Sequence, residues 1–299
     1  MASQNNIPDL LAFVREACKG TFEHDADFYS GATSEVNAAL HRLPSTLRRV
    51  AASSLTESDA IEIFGLKVTP DPVMWNLSDW EAYNPPQHLM DSIAELKYAL
   101  NDSPSTKPYA TCFAKLILFS CLTAERQIYE YGNCCACGPA PQRVWPLKLQ
   151  LDTELGAQVP FRSQQVVLCG FLDATLWQGR SNDLGSNTVL VEVTAKGRST
   201  ITGASSGNLI AAMGNKSRYV SIIPSVPPAV RSSGGRHNTT AIYGISTDGN
   251  HFGFYRLDPE GRIARSRVCD WEYSSEERTL IMSSIRQIIR GAVTLNQEW

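Results

Sequence analysis

The chain lacks a large excess of either charge. Lys plus Arg number 27 and Asp plus Glu 30, a net charge of −3. A strongly basic nucleic-acid coat is therefore excluded, although a local basic groove is not, because whole-chain charge averages over faces. Charged residues make up 19% of the 299 and hydrophobic ones 43%, the reverse of the balance that leaves a chain disordered. Long apolar runs are also lacking. Phe113 to Leu122 is the longest, and it contains Lys115 and falls short of the roughly 18–20 residues that span a bilayer. The N-terminus has no basic start followed by an unbroken apolar stretch. No signal peptide is expected, and the expected location is intracellular, cytoplasmic or nuclear. In a reducing compartment the eight cysteines are expected to be mostly free thiols.

Several common signatures of chemistry are missing. There is no P-loop and no G-x-G-x-x-G fingerprint. The five histidines, His24, His41, His88, His237 and His251, form no spacing motif. Cys134-Cys135-Ala136-Cys137 has neither a second C-x-x-C nor a following H-x₃₋₅-H, so it reads as clustered thiols rather than zinc ligands. Gly203-Ala204-Ser205-Ser206-Gly207 fits G-x-S-x-G, but Arg198 to Thr202 before it is too polar for a buried strand. It reads as a small-residue loop opening a helix.

The first hundred residues read as mainly helical with broken connections. Asp9 to Ala17, Ser34 to Arg42 and Gln87 to Leu100 are candidate helices, and Thr56 with Glu57 and Asp59 is a helix start. Trp75, Trp80 and Tyr83 fall in a Pro-rich loop. Asn101 to Pro108, with Pro104 and Pro108, reads as a linker, which places a boundary between a mainly helical region, 1–108, and a core, 109–299. A helix is expected from Tyr109 to Tyr131. Beyond Pro141 the pattern turns β-like at Val144 to Leu151, Gln165 to Cys169, Ala174 to Trp177 and Thr188 to Val193. A helix over Asn208 to Tyr219, a hairpin through Thr247-Asp248-Gly249-Asn250 and a closing helix over Ser274 to Ala292 follow. The expected fold class is α+β (mixed α/β): a central mixed sheet flanked by helices.

Two acids stand out against this background. Asp173 follows Gly170-Phe171-Leu172, and Glu192, nineteen residues later, lies inside Val189-Leu190-Val191-Glu192-Val193-Thr194-Ala195-Lys196. A carboxylate among apolar strand residues is costly unless paired or metal-bound. Two of them on adjacent strands can converge on one divalent cation, for which Mg²⁺ is the usual choice. Lys196 shares the strand face of Glu192, although at roughly 13 Å between Cα atoms.

These residues resemble the PD-(D/E)xK nuclease superfamily, the restriction-endonuclease-like fold. Asp173 matches its first position and Glu192 its second, whereas Thr194 stands where the lysine is expected and Lys196 comes two positions late. Ile242-Tyr243-Gly244-Ile245-Ser246-Thr247-Asp248-Gly249 followed by His251 to Leu257 is similar to a stretch of fungal-type members, and Trp271 and the last helix also fit. The resemblance covers roughly 110–299. It implies a metal-dependent nuclease that hydrolyses nucleic acid through a water activated by Mg²⁺ or Mn²⁺. Asp173 and Glu192 would hold the metal, Lys196 would assist the water, and Glu125 or Glu130 would complete the metal shell. Asn208 stands where such proteins tend to carry a Gln. A homodimer is compatible with the resemblance, because many such nucleases pair to cut two strands. The displaced lysine and the Trp75, Trp80 and Tyr83 region suit an alternative: the same fold acting without metal on a small molecule, as a cyclase or isomerase. A non-catalytic binding protein, a pseudonuclease, is the third reading.

Overall fold

The computed structural model describes residues 47–70, 82–99, 106–131, 145–178, 187–194, 206–219 and 241–294. The candidate helices at 9–17 and 34–42, Trp75, Trp80, the Cys134 cluster, Ser205 and Lys196 lie outside these residues.

The chain begins with β1 (Arg48–Ala51), a 3-10 turn (Ala52–Ser54), α1 (Glu57–Phe64) and β2 (Lys67–Val68). Two helices follow, α2 (Gln87–Ala99) and α3 (Lys107–Tyr131). Next come β3 (Leu147–Phe161), β4 (Gln164–Gln178), β5 (Asn187–Val193) and α4 (Ser206–Tyr219). The chain closes with β6 (Ile242–Thr247), β7 (His251–Leu257), β8 (Arg262–Arg265), β9 (Cys269–Asp270) and α5 (Ser275–Thr294). Local chemistry sets several boundaries. Thr56 and Asp59 form a reciprocal capping box at the start of α1, and Gly65 ends that helix in the left-handed region. Thr106 accepts the Tyr109 N–H at the start of α3, where Pro108 in the first turn needs no hydrogen-bond donor.

The strands form one mixed sheet in the order β1-β4-β5-β6-β7-β8-β2, with β3 on β4 and β9 on β7. β5 runs antiparallel to β4 and parallel to β6, and α4 makes the crossover between β5 and β6. Apolar side chains leave both faces of the sheet. In β5, Val189 and Val191 join the layer of α2, α3 and α5, and Leu190 joins the opposite layer of α1, α4 and the 3-10 turn. Trp271 and Phe113 meet edge to face, with ring centroids 5.8 Å apart, in the centre of the first layer.

β4 carries an irregularity that matters for the site. Val166, Leu168 and Leu172 pack into the α4 layer, but Ala174 and Leu176 pack into the α3 layer. The alternation therefore changes face at Asp173. On β3, Leu147 packs with the α3 layer and Ala157 and Val159 with the α4 layer. Asp152, which the β3–β4 register sets opposite Asp173, has φ 52°. The two strands thus invert their faces together.

Described residues on both sides of the expected boundary at residue 108 contribute to one sheet. The described residues from Arg48 to Thr294 belong to one compact unit. β1 pairs with β4 and β2 with β8, so the described part of the first hundred residues supplies strands as well as helices. Lys107 and Pro108, expected at the end of a linker, open α3, and the linker residues 101–105 lie outside the described residues. The described residues contain no helix long and apolar enough to cross a membrane. The four described cysteines, Cys112, Cys121, Cys169 and Cys269, are free.

The turn from β6 to β7 is tight for a physical reason. Gly249 has φ +94°, and a Cβ there would lie 3.1 Å from the Ala110 Cα of α3. Only glycine combines this backbone with so close a helix. Gly249→Ala is therefore expected to destabilise the protein by about 1–3 kcal/mol, measured as a lowered urea midpoint. An unchanged midpoint would contradict the close packing.

Candidate functional site

One edge of β4 changes partner partway along its length. The pairing with β1 ends at Cys169, and the pairing with β5 begins at Ala174. Gly170 to Asp173 lie in the fork between these two neighbours. Buried backbone groups there need other partners. The N-terminus of α4 supplies one: Asn208 Nδ2 donates to the Phe171 carbonyl at 3.2 Å. Gly170 leaves the room, since a Cβ at that position would sit 2.8 Å from Asn208 Oδ1. Asp173 supplies the other. Its Oδ2 accepts the Val193 N–H at 2.7 Å, closing the β4–β5 ladder with a side chain.

Glu192 stands across from Asp173. The register that pairs Ala174 with Val191 sets the two acids opposite each other one step further on. Both are buried, at 8% and 7% exposure. Glu192 turns toward α4: its Oε1 accepts from Asn208 Nδ2 at 2.9 Å and its Oε2 from the Leu209 N–H at 3.0 Å. The first turn of a helix offers unpaired N–H groups and the positive end of the dipole, which suits a carboxylate. Burial nevertheless pushes the Glu192 carboxyl up to about 7; Asp173 adds to the rise, and Asn208, the Leu209 N–H and Lys107 oppose it.

A cation arrives from the other helical layer. Lys107, Ala110 and Ala114 lie at helical spacing on α3, and the two alanines pack against Val193. Small side chains bring the helix close to the end of β5. One turn earlier, Lys107 Nζ lies 3.3 Å from Asp173 Oδ1. Thr194 Oγ1 and Asn208 Oδ1 are buried and have no hydrogen-bond partner among the described residues.

The structure thus brings Asp173 and Glu192 together and leaves Lys196 outside the described residues. Glu125 and Glu130 belong elsewhere. Glu125 lies about 27 Å along α3 from Lys107 and Glu130 about 34 Å, at 1.5 Å per residue. Neither can share a cation with Asp173, because ligand oxygens stand only about 2.0–2.6 Å from Mg²⁺ or Ca²⁺. Glu125 instead joins α3 to α5. It accepts from Arg286 Nε at 2.5 Å and from Arg290 Nε and Nη2 at 3.0 and 2.8 Å. Arg286 stacks on the Tyr83 ring at 3.8 Å. Glu130 pairs with Arg126, four residues earlier. Lys107 is the site residue that sequence reasoning missed. Thr106 before it and Pro108 after it are the available signals of a helix start.

Of the two acids at the fork, the atoms able to ligate a cation are carboxylate oxygens. No group of three His, Cys, Asp or Glu able to hold a metal occurs among the described residues. Two carboxylates alone still suit Mg²⁺, which commonly binds through one or two carboxylates, waters and substrate phosphates. Just past the end of β5, the buried Thr194 hydroxyl has no hydrogen-bond partner among the described residues.

Two outcomes follow from these contacts. Glu125→Ala leaves a buried Arg286 without its carboxylate, at an expected cost of about 3–5 kcal/mol in chemical denaturation. Glu130→Ala is expected to cost about 0.5 kcal/mol or less, because Arg126 is exposed. A mild effect at Glu125 would contradict the buried pairing. The Glu192 proton gives a pH signature. The folded state keeps it up to about pH 7, whereas a free glutamate loses it near pH 4.5. Folding therefore takes up a proton between these values, and stability falls as pH rises through them, by up to about 3 kcal/mol. In EDTA buffer the wild-type melting temperature should drop relative to Glu192→Gln between pH 5 and pH 8. A constant difference would contradict the buried acid. Compared with known families and curated proteins, the chain matches no family model and no curated protein.

Proposed function

We propose that the chain is a metal-dependent phosphodiesterase of nuclease type built on a restriction-endonuclease-like core. The observation that carries this reading is the pair of opposed, buried carboxylates on antiparallel β4 and β5. The mixed sheet with helices on both faces and the Asn208 amide on Glu192 support it.

Asp173 and Glu192 would hold Mg²⁺ or Mn²⁺. A divalent cation supplies activation of a water and polarisation of a phosphoryl oxygen. Glu192 gives up its proton to serve as a ligand, so cation binding strengthens as pH rises through about 7. Asn208 and the Leu209 N–H fix the direction of its carboxylate. The Val193 N–H does the same for Asp173. Lys196 assists the attacking water in this reading, and the substrate is nucleic acid.

One observation favours a second reading. The Lys107 ammonium already balances Asp173 without a metal, which suits a metal-independent small-molecule enzyme or a non-catalytic protein on the same fold. Cleavage of labelled single- and double-stranded DNA and of RNA, with Mg²⁺, Mn²⁺ or EDTA, separates the two. The first reading expects EDTA-sensitive cleavage that falls at least about a hundredfold in Asp173→Ala and in Glu192→Ala. Undiminished cleavage by Asp173→Ala would refute it. No cleavage under any condition would favour the second.

A further inference from the structure

Lys107 and a bound cation compete for the same carboxylate. Lys107 Nζ lies 3.3 Å from Asp173 Oδ1, and Val193 N–H takes Oδ2. Both oxygens of Asp173 thus already face positive or partly positive partners. Glu192 is similarly engaged by Asn208 and the Leu209 N–H. The partners of Glu192 are neutral and fixed by α4, whereas Lys107 is a charged, flexible side chain, 56% exposed. It is the partner of this pair best able to move away without breaking the fold. Its backbone is not free to follow. Ala110 and Ala114, one and two turns on, pack on Val193, and Gly249 meets Ala110. The ammonium can swing only about an anchored helix end, within a few ångströms of the acids. A phosphodiester drawn to a cation at Asp173 would come within its reach, and an ammonium is a suitable point-charge partner for a phosphate oxygen.

We propose that Lys107 is a counter-ion that gives way to a divalent cation at Asp173 and then holds a phosphate oxygen of the substrate. This rests on the phosphodiesterase reading and adds to it a substrate-contacting residue from a helix that the strand pattern does not include. No covalent step is assigned to Lys107.

The test is Mn²⁺ titration, followed calorimetrically, of wild type, Lys107→Met and Asp173→Asn at pH 8, with melting curves to show that each is folded. Removing the competing ammonium should tighten Mn²⁺ binding about fivefold in Lys107→Met, the size expected of a half-exposed ion pair. Asp173→Asn should weaken it. Binding of fluorescein-labelled DNA and RNA oligonucleotides, measured in Ca²⁺ over a range of salt, provides the second readout. Lys107→Met should weaken binding and lower the salt slope by about one, and Lys107→Arg should restore both. The DNA and RNA arms show which phosphodiester the site takes. Unchanged or weaker Mn²⁺ binding by Lys107→Met would overturn the competition, and an unchanged salt slope for both oligonucleotides would overturn the phosphate contact. If Mn²⁺ binds wild type and Asp173→Asn equally, or binds neither, the carboxylate reading itself fails along with the proposal.

Discussion

Where β4 exchanges β1 for β5 as its neighbour, a buried strand edge loses its ladder partners, and the Asp173 carboxylate takes the Val193 N–H in their place. The rest of the site follows from that substitution. A side chain without an acceptor at this position would leave a buried N–H unsatisfied, at a cost of about 1–3 kcal/mol. The acid that fills the gap lies opposite Glu192, and two buried carboxylates repel. The protein balances them with the Asn208 amide, the first turn of α4 and the Lys107 ammonium. Even so, Glu192 keeps its proton up to about pH 7. Below that pH the pair therefore carries less than its full negative charge. A buried acid whose pKa is strongly raised beside a second carboxylate is more often found at functional sites than elsewhere.

The fork is held from both sides by packed elements. On one side Gly170 admits Asn208, and Glu192 docks on α4. On the other, Ala110, Ala114 and Gly249 let α3 come close to the end of β5. Further along the same helix, the Glu125 contacts with Arg286 and Arg290 tie α3 to α5. That buried cluster has a structural role, but it bears on the site because it fixes the helix that carries Lys107. Side chains placed by helices and strands are more rigid than side chains placed by loops, and rigidity is what a binding constellation needs.

Much of the fold is legible in the sequence because it is periodic. Leu89 and Ile93 mark α2, the apolar spacing of Ile281 to Ile289 marks α5, and Thr247-Asp248-Gly249-Asn250 marks the β6–β7 hairpin. β4 reads as two strands, because its alternation reverses at Asp173 as its face changes. β1 and β2 are four and two residues long, too short for a pattern, and their partners lie far along the chain. In the site, Asp173 and Glu192 are legible as acids in apolar strands. Lys107 is not, because Ser and Pro residues around it read as a linker, and its contact with Asp173 is purely tertiary. Glu125 misleads for the mirror reason. It is a buried acid on the expected helix, and its arginine partners lie on the last helix of the chain. Burial alone marks an acid as paired; the sequence pattern does not name the partner.

In the proposed function Asp173 and Glu192 form one divalent-cation site. The most direct measurement is an anomalous difference map from crystals soaked in Mn²⁺ at pH 8, collected near the manganese edge. The account predicts a peak between the two carboxylates, with the Lys107 ammonium displaced from Asp173. A well-ordered fork with no peak at saturating Mn²⁺, and Lys107 still on Asp173, would contradict it.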